Sequence, residues 1–436
     1  MFDLSNTTIG IIGTVIAVGL MMIDVPIGLS FFLGGVAGLA MLMGPAKAVT
    51  IMGSVPYDTF HHYTLMALPA FLLMGEICTY GNMSQSLFDC ARKWVGHVRG
   101  GLAMASVVGC AAFGSVAGGS MSTAAALAPI CMPEMKRYGV SDRLAAGTVA
   151  SAGTLGALIP PSGIYIWIGV LADLDIGKLF IASLIPGALL TFMMMAQIWL
   201  QVRLKPEMAP RLPSVPWKDR FKSLPGVVPL SALLIFVLGG LFLGIFTPTE
   251  AGSAGVFGAL VLTVVYRSFS FKMVVNSVAE SGKVIVRVLM ILMGAMVFQN
   301  FLALSQLPQV ITKWIIGLPV PPVVTVMLLM AFYLPLGTFM DTLSMLILTA
   351  PLFFPVVVGL GLDPYWFAIL VVVAMEIAQV SPPEGITVFV VQSATGIPMG
   401  EVFAGCWAFA GTMVLSMLLM IAFPAIVTVL PSLMAR

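Results

Sequence analysis

Charge is what this 436-residue chain has least of: Asp, Glu, Lys and Arg together make up 9% of it, against roughly a quarter in soluble domains. That leaves no room for a large soluble domain. The net charge is only +2, too small for the backbone neutralisation that nucleic-acid binding requires. Histidine occurs three times, as adjacent His61 and His62 and as His97. Neighbours on a helix point about 100° apart, which suits an interfacial position and not a shared metal. The five cysteines, Cys78, Cys90, Cys110, Cys131 and Cys406, include no close pair at metal or redox spacing, which argues against a disulfide framework or a zinc site. No Gly-x4-Gly-Lys-[Ser/Thr] occurs, so the chain has no phosphate loop with which to use ATP. The opening MFDLSNTTIG has no basic segment, so the first apolar run reads as a retained span and not a cleaved signal.

What the chain has in abundance is apolar length. It is 60% hydrophobic, and runs of about twenty apolar residues, enough to cross ~30 Å of hydrocarbon, recur from end to end. The fold class is an all-α polytopic membrane protein. Spans are expected at 7–24, 26–44, 63–80, 177–202, 226–246, 248–266, 283–304 and 399–433, with a polar link at 203–223. Hairpins are expected at 101–135 and 321–358, and broken spans at 144–172 and 364–395.

The breaks come from paired prolines. Pro160-Pro161-Ser162-Gly163 sits inside a long apolar segment, and proline both lacks the N–H and clashes with the preceding turn. Backbone groups freed in a bilayer persist only where protein or a water-filled cavity takes them up, and such breaks build ion and substrate sites in transporters. The pattern SPPEGI at 381–386 repeats IPPSGI at 159–164 after 222 residues. Ser122, Pro129 and Pro133 recur as Ser344, Pro351 and Pro355 at the same offset, and Lys93-Trp94 recurs as Lys313-Trp314 after 220. The chain is therefore an internal duplication, residues 1–202 and 224–436 joined by 203–223.

Arg99 and Lys136 bracket 36 largely apolar residues interrupted by Gly118-Gly119-Ser120. With about thirteen helical residues per arm, or ~20 Å, each arm is too short to cross, so this reads as a re-entrant hairpin. The reading of the second hairpin as re-entrant rests on the repeat. Each half then crosses five times, and an odd number inverts the second copy. With both termini outside, sixteen of the twenty Lys and Arg residues fall inside and only Lys47, Lys178, Lys313 and Arg436 fall outside, as the positive-inside rule requires.

The chemistry is expected where tips and breaks meet. The tips are GGSMST at 118–123 and MDTLS at 340–344. Glycine carbonyls and hydroxyls suit a hard cation such as sodium, and helix N-termini at the tips favour an anion; small residues at such positions also serve plain helix packing. No Lys or Arg falls in a tip or a break. An anionic substrate would thus be held by helix ends, hydroxyls and sodium, with Gly118, Gly119, Ser120, Ser162, Thr342 and Ser381 as the candidates. Charge at membrane depth is costly and usually functional; the candidates are Asp341, Glu376 and Glu384, whose first-half counterparts Gly119, Thr154 and Ser162 are neutral. Asp341 is either a cation-site carboxylate or a helix cap. Glu384 is either a site residue or a solvated rim residue, and Glu250 reads as a helix-start residue. The segments near Lys93-Trp94 and Lys313-Trp314 are interfacial arms or plain connecting helices.

The stretches ASAGTLGALIPPSGI, PTEAG, GTFMDTLSMLILTAP and SPPEGITVFV resemble the large membrane subunit of tripartite ATP-independent periplasmic (TRAP) transporters, the DctM type, over essentially the whole chain. The resemblance implies sodium-driven uptake of an organic acid across the bacterial inner membrane. It also implies two partners, a small four-helix DctQ-type membrane subunit, here a separate polypeptide, and a periplasmic DctP-type binding protein. An inverted-repeat elevator is implied too, with a mobile domain of about 101–172 and 321–395 on a scaffold of about 1–100, 177–304 and 399–436. Carried onto this chain, the sodium ligands are Ser120, Ser122, Gly153 and Thr154 with Asp341, Thr342, Ser344 and Glu376. Glu384 departs from the neutral residue of many members. The alternatives are a stand-alone carrier of a related elevator superfamily and an intramembrane enzyme. The second lacks a histidine–nucleophile pair at depth and an aspartate pair in a Gly-x-Gly-Asp context, so no catalytic residue is expected.

Overall fold

The computed structural model describes residues 5–434 except 62, 82, 338, 339 and 384. His62, Glu384 and Arg436, each named above, lie outside the described residues. Every described element is helical.

The first half runs α1 (Asn6–Met22), α2 (Ile27–Met43), α3 (Pro45–Phe60), α4 (Ala67–Tyr80) and amphipathic α5 (Met83–Val95). A hairpin of α6 (Gly101–Ala117) and α7 (Ser120–Arg137) follows. Then come a broken helix, α8 (Asp142–Gly153), α9 (Leu155–Leu158) and α10 (Gly163–Leu171), and the long α11 (Ile176–Leu204). The link carries α12 (Trp217–Phe221). The second half runs α13 (Val228–Phe242), α14 (Pro248–Val265), α15 (Phe271–Ser305), α16 (Leu307–Ile316), then a hairpin of α17 (Pro322–Leu336) and α18 (Thr342–Gly359). A broken helix of α19 (Pro364–Gln379) and α20 (Ile386–Thr395) leads to α21 (Met399–Ala422) and α22 (Ala425–Ser432). Among the described residues five helices, α11, α14, α15, α18 and α21, are long and apolar enough to cross a membrane. Two bent pairs, at 46° for α8–α9 with α10 and at 52° for Trp217–Gly226 with α13, raise the number to seven.

Local chemistry sets the starts. Thr247 Oγ1 accepts the Glu250 N–H at 3.3 Å while Glu250 Oε2 accepts the Thr247 N–H at 2.8 Å, a reciprocal cap with Pro248 at the first helical position. Glu250 is thus a helix-start residue, as expected. Ser270 Oγ accepts the Met273 N–H at 3.1 Å, so α15 begins at Phe271, twelve residues before the expected 283, and runs 35 residues or ~52 Å. Hydropathy marks only the part of a helix that suits hydrocarbon, and the polar first turns of α15 escaped it. For the same reason α3 was not anticipated. The last expected span is two helices, α21 and α22, parted at Phe423-Pro424.

The arms of the first hairpin, at 17 and 18 residues, are longer than the expected thirteen, and those of the second have 15 and 18. At ~23–27 Å each, length alone no longer marks them as re-entrant.

The two halves interlock. α2 packs against α15, and α4 packs against α14 and α15, so helices of the first half cross those of the second. Backbones approach closely at these crossings: a Cβ on Gly294 would lie 1.9 Å from the Gly28 carbonyl oxygen. The broken helices exchange likewise, with α20 against α7 and α10 against α18. α11 packs on α6, α9, α10 and α19, and α21 packs on α8 and α19. Gly147 and Gly405 meet so closely that a Cβ on Gly405 would sit 2.1 Å from the Arg143 carbonyl oxygen. Small residues are what allow such helix contacts in a membrane.

Candidate functional site

The first tip rests on the first break. Gly118 takes a left-handed conformation, φ +68°, which turns α6 into α7 at no steric cost. Its carbonyl accepts the Gly163 N–H at 3.1 Å and the Ser162 hydroxyl at 3.3 Å. Gly119 O takes the Thr123 and Ser122 hydroxyls at 2.8 and 3.0 Å. Gly156 must be glycine here, because a Cβ would lie 2.1 Å from Thr123 Oγ1 and 2.7 Å from Gly119 O.

Each break frees carbonyls, and in each a hydroxyl from the following half-helix takes one up. Tyr165 donates to Leu158 O at 2.9 Å, and Thr387 donates to Gln379 O at 3.0 Å. The Pro160–Pro161 and Pro382–Pro383 bonds are both cis.

The last turn of α19 joins the two tips. Ser120, the first residue of α7, donates to Glu376 Oε2 at 2.6 Å. Three residues on, Gln379 donates to the Thr342 hydroxyl, so positions one helical turn apart serve different hairpins. Glu376 is 2% exposed; among the described residues Arg220 is the only other buried charge. Burying a carboxyl is costly without partners, yet Oε1 of Glu376 has none among the described residues, and neither has Oε1 of Gln379.

Asp341 is the N-cap of α18. Its Oδ1 accepts the Ser344 N–H at 3.3 Å and also the Ser344 hydroxyl, and its Oδ2 accepts the Leu343 N–H at 3.2 Å. Of the two readings left open for it, the cap is the one the geometry displays. Asp341, Thr342 and Gln379 line one small pocket with Met340, Met345, Ala378 and Ile386.

Other candidates face their own backbone. Thr154 donates to Ser151 O at 2.6 Å, and Ser381 to Ile377 O at 2.8 Å. Gly153 packs on α7, with a virtual Cβ 2.9 Å from that of Ala124. The structure thus joins Ser120 to Glu376, Gly118 to Ser162, and Asp341 to Ser344, and it leaves Thr154 and Ser381 as internal caps. Sequence reasoning missed Gln379, Tyr165, Thr387 and Gly156. Gln379 carried a signal, a lone amide in the apolar run AMEIAQV just before a break; the others did not.

A helical membrane chain in which two interrupted helices meet two hairpin tips around an interior carboxyl has the build of a secondary transporter. The family model for the tripartite ATP-independent periplasmic transporter, DctM component, matches residues 14–426. The chain is 35% identical over 401 residues to the C4-dicarboxylate TRAP transporter large permease protein DctM of Pseudomonas aeruginosa, covering 92% of this chain and 93% of the relative. It is 28% identical over 391 residues to the isethionate TRAP transporter permease protein DctMQ of Oleidesulfovibrio alaskensis, covering 88% of this chain and 59% of that longer protein. The solved Alcanivorax borkumensis YdaH transporter superposes with a TM-score of 0.64 at 15% identity, covering 90% of each chain, a likeness of fold alone. The chain belongs to the DctM component family, the large permease subunits of TRAP transporters.

Proposed function

We propose that this permease takes up an organic acid, delivered by a periplasmic binding protein, on an inward sodium gradient. The observation that carries the reading is the meeting of both hairpin tips on the last turn of α19, through Ser120–Glu376 and Thr342–Gln379. The residues suit sodium. They offer a carboxyl oxygen and an amide oxygen without donors, next to hydroxyls, and hard cations take oxygen ligands. Glu376, Gln379, Ser120 and Thr342 would hold the ion, with the Asp341 carboxylate adding negative charge at the second tip and Ser122, Gly153, Thr154 and Ser344 as supporting backbone and hydroxyl positions. Bound sodium would supply positive charge for an anionic substrate where the tips and breaks carry no Lys or Arg. Gly118, Gly119, Ser162 and Ser381 frame the approach of that substrate.

The exchange of α10 and α20 between hairpins, and of α4 and α15 between halves, supports an inverted repeat with an elevator movement. In this reading α11 and α21 travel with the hairpins and broken helices on which they pack, whereas the family resemblance implies a scaffold that includes 177–202 and 399–436. The scaffold is then α1–α4 and α13–α15. The termini are assigned to the periplasm and the link at 203–223 to the cytoplasm. A relative named DctMQ, of which this chain covers 59%, supports a small DctQ-type subunit as a partner. The acid belongs to the range that includes the C4-dicarboxylates and isethionate named for the relatives.

The test is uptake by proteoliposomes holding the large and small subunits, with binding protein and sodium gradient each present or absent. Uptake that needs both is expected. Uptake without the binding protein would point to a stand-alone carrier, and uptake on a proton gradient alone would overturn the sodium assignment.

A further inference from the structure

A cleft outside the site described above lies beneath the amphipathic helix α5. Its volume is about 360 Å³, and it is lined by Arg92, Lys93, Tyr138, Asp219 and Lys222 among others. Three bases thus face one acid. Arg92 is paired, its Nη1 lying 3.3 Å from Glu134 Oε2, while among the described residues Lys93 and Lys222 have no carboxylate within ion-pair distance. The lining comes from α5, from the turn after α7 and from the link, so a ligand there would touch three separate segments.

The short helix α12 closes the cleft with one face and shows aromatic rings on the other. Asp219 and, just beyond the helix, Lys222 line the cleft. Trp217 and Phe221 point away from it and are 64% and 57% exposed. Trp94 of α5 stands edge-on to both rings, at 6.3 and 5.7 Å. Exposed tryptophan and phenylalanine beside lysine are features of the membrane–water boundary, and basic pockets at that level receive lipid head groups.

We propose that this cleft binds the phosphate of an anionic phospholipid, held by Lys93, Lys222 and Arg92. Inorganic phosphate shares the head-group chemistry; the exposed rings of α12 and the interfacial arm α5 select the lipid as its source. Because Glu134 on α7 pairs with Arg92, the bound lipid fastens arm, hairpin and link together. The site is separate from the sodium reading and does not depend on it.

The test is native mass spectrometry of the purified large–small subunit complex with phosphatidylglycerol or phosphatidylcholine added. Retention of phosphatidylglycerol over phosphatidylcholine is expected, with a loss of about tenfold in Lys93→Gln/Lys222→Gln. Lys93→Arg/Lys222→Arg and the distant Lys47→Gln should retain it, and a thermal melt confirms that each variant is folded. The proposal is overturned if the glutamine variant holds phosphatidylglycerol as the unaltered complex does. It is equally overturned if the unaltered complex takes up inorganic phosphate but retains neither phospholipid.

Discussion

Ser120 and Glu376, 256 residues apart in the chain, meet in the interior at 2.6 Å, the hydroxyl donating to the carboxyl. It is the one side-chain hydrogen bond that ties the first hairpin tip to the second broken helix among the described residues. Ser120→Ala would leave both carboxyl oxygens without a donor, at a cost on the order of 1–3 kcal/mol. A lower thermal midpoint of the purified complex is expected, together with reduced uptake. Ser120→Thr, which keeps the hydroxyl, should recover most of both.

Gln379 is the corresponding link to the second tip. Gln379→Leu keeps the volume but removes the donor to Thr342 and the free amide oxygen. Sodium titration of uptake is expected to show a half-saturating concentration raised roughly tenfold, the equivalent of ~1.4 kcal/mol, with the binding-protein requirement unchanged.

Asp341 separates capping from charge. Asparagine caps a helix as well as aspartate does, whereas alanine costs about 1 kcal/mol. Thermal unfolding should therefore distinguish Asp341→Ala, which is destabilised, from Asp341→Asn, which is not. Sodium dependence of uptake should weaken in both, because both remove the negative charge at the tip.

Gly405 crosses Gly147 at backbone contact. A methyl at 405 would sit 2.1 Å from the Arg143 carbonyl oxygen, so Gly405→Ala forces α21 away from α8. A loss of about 1–3 kcal/mol is expected, read as a lower thermal midpoint. By contrast Gly411→Ala, on the same helix where a Cβ meets nothing within 4 Å, should leave stability unchanged.

The membrane class, both hairpins and both breaks were legible in the sequence because they rest on local signals: apolar length, paired prolines, and the recurrence of Ser122 as Ser344. The lengths of the hairpin arms and the start of α15 were not. Helices extend past the apolar stretch wherever a cap such as Ser270 allows, and hydropathy does not see the cap. Glu376 was found because a carboxylate in an apolar run is conspicuous, but its partner Ser120 lies in the other half, and no spacing rule joins them. Gly405 against Gly147 is of the same kind, a tertiary contact with no local trace. Asp341 shows the converse, where one sequence feature supports two roles and only geometry displays the cap.

The measurement that bears most directly on the account is the sodium dependence of uptake in Glu376→Gln, compared with the unaltered complex in proteoliposomes. Glutamine still accepts from Ser120, so the fold and the need for the binding protein should persist. Losing a charged ligand, worth roughly 1.5–3 kcal/mol, should raise the half-saturating sodium concentration by about tenfold or more. An unchanged sodium titration in a folded, transporting variant would contradict the placing of the coupling site between the two tips and α19.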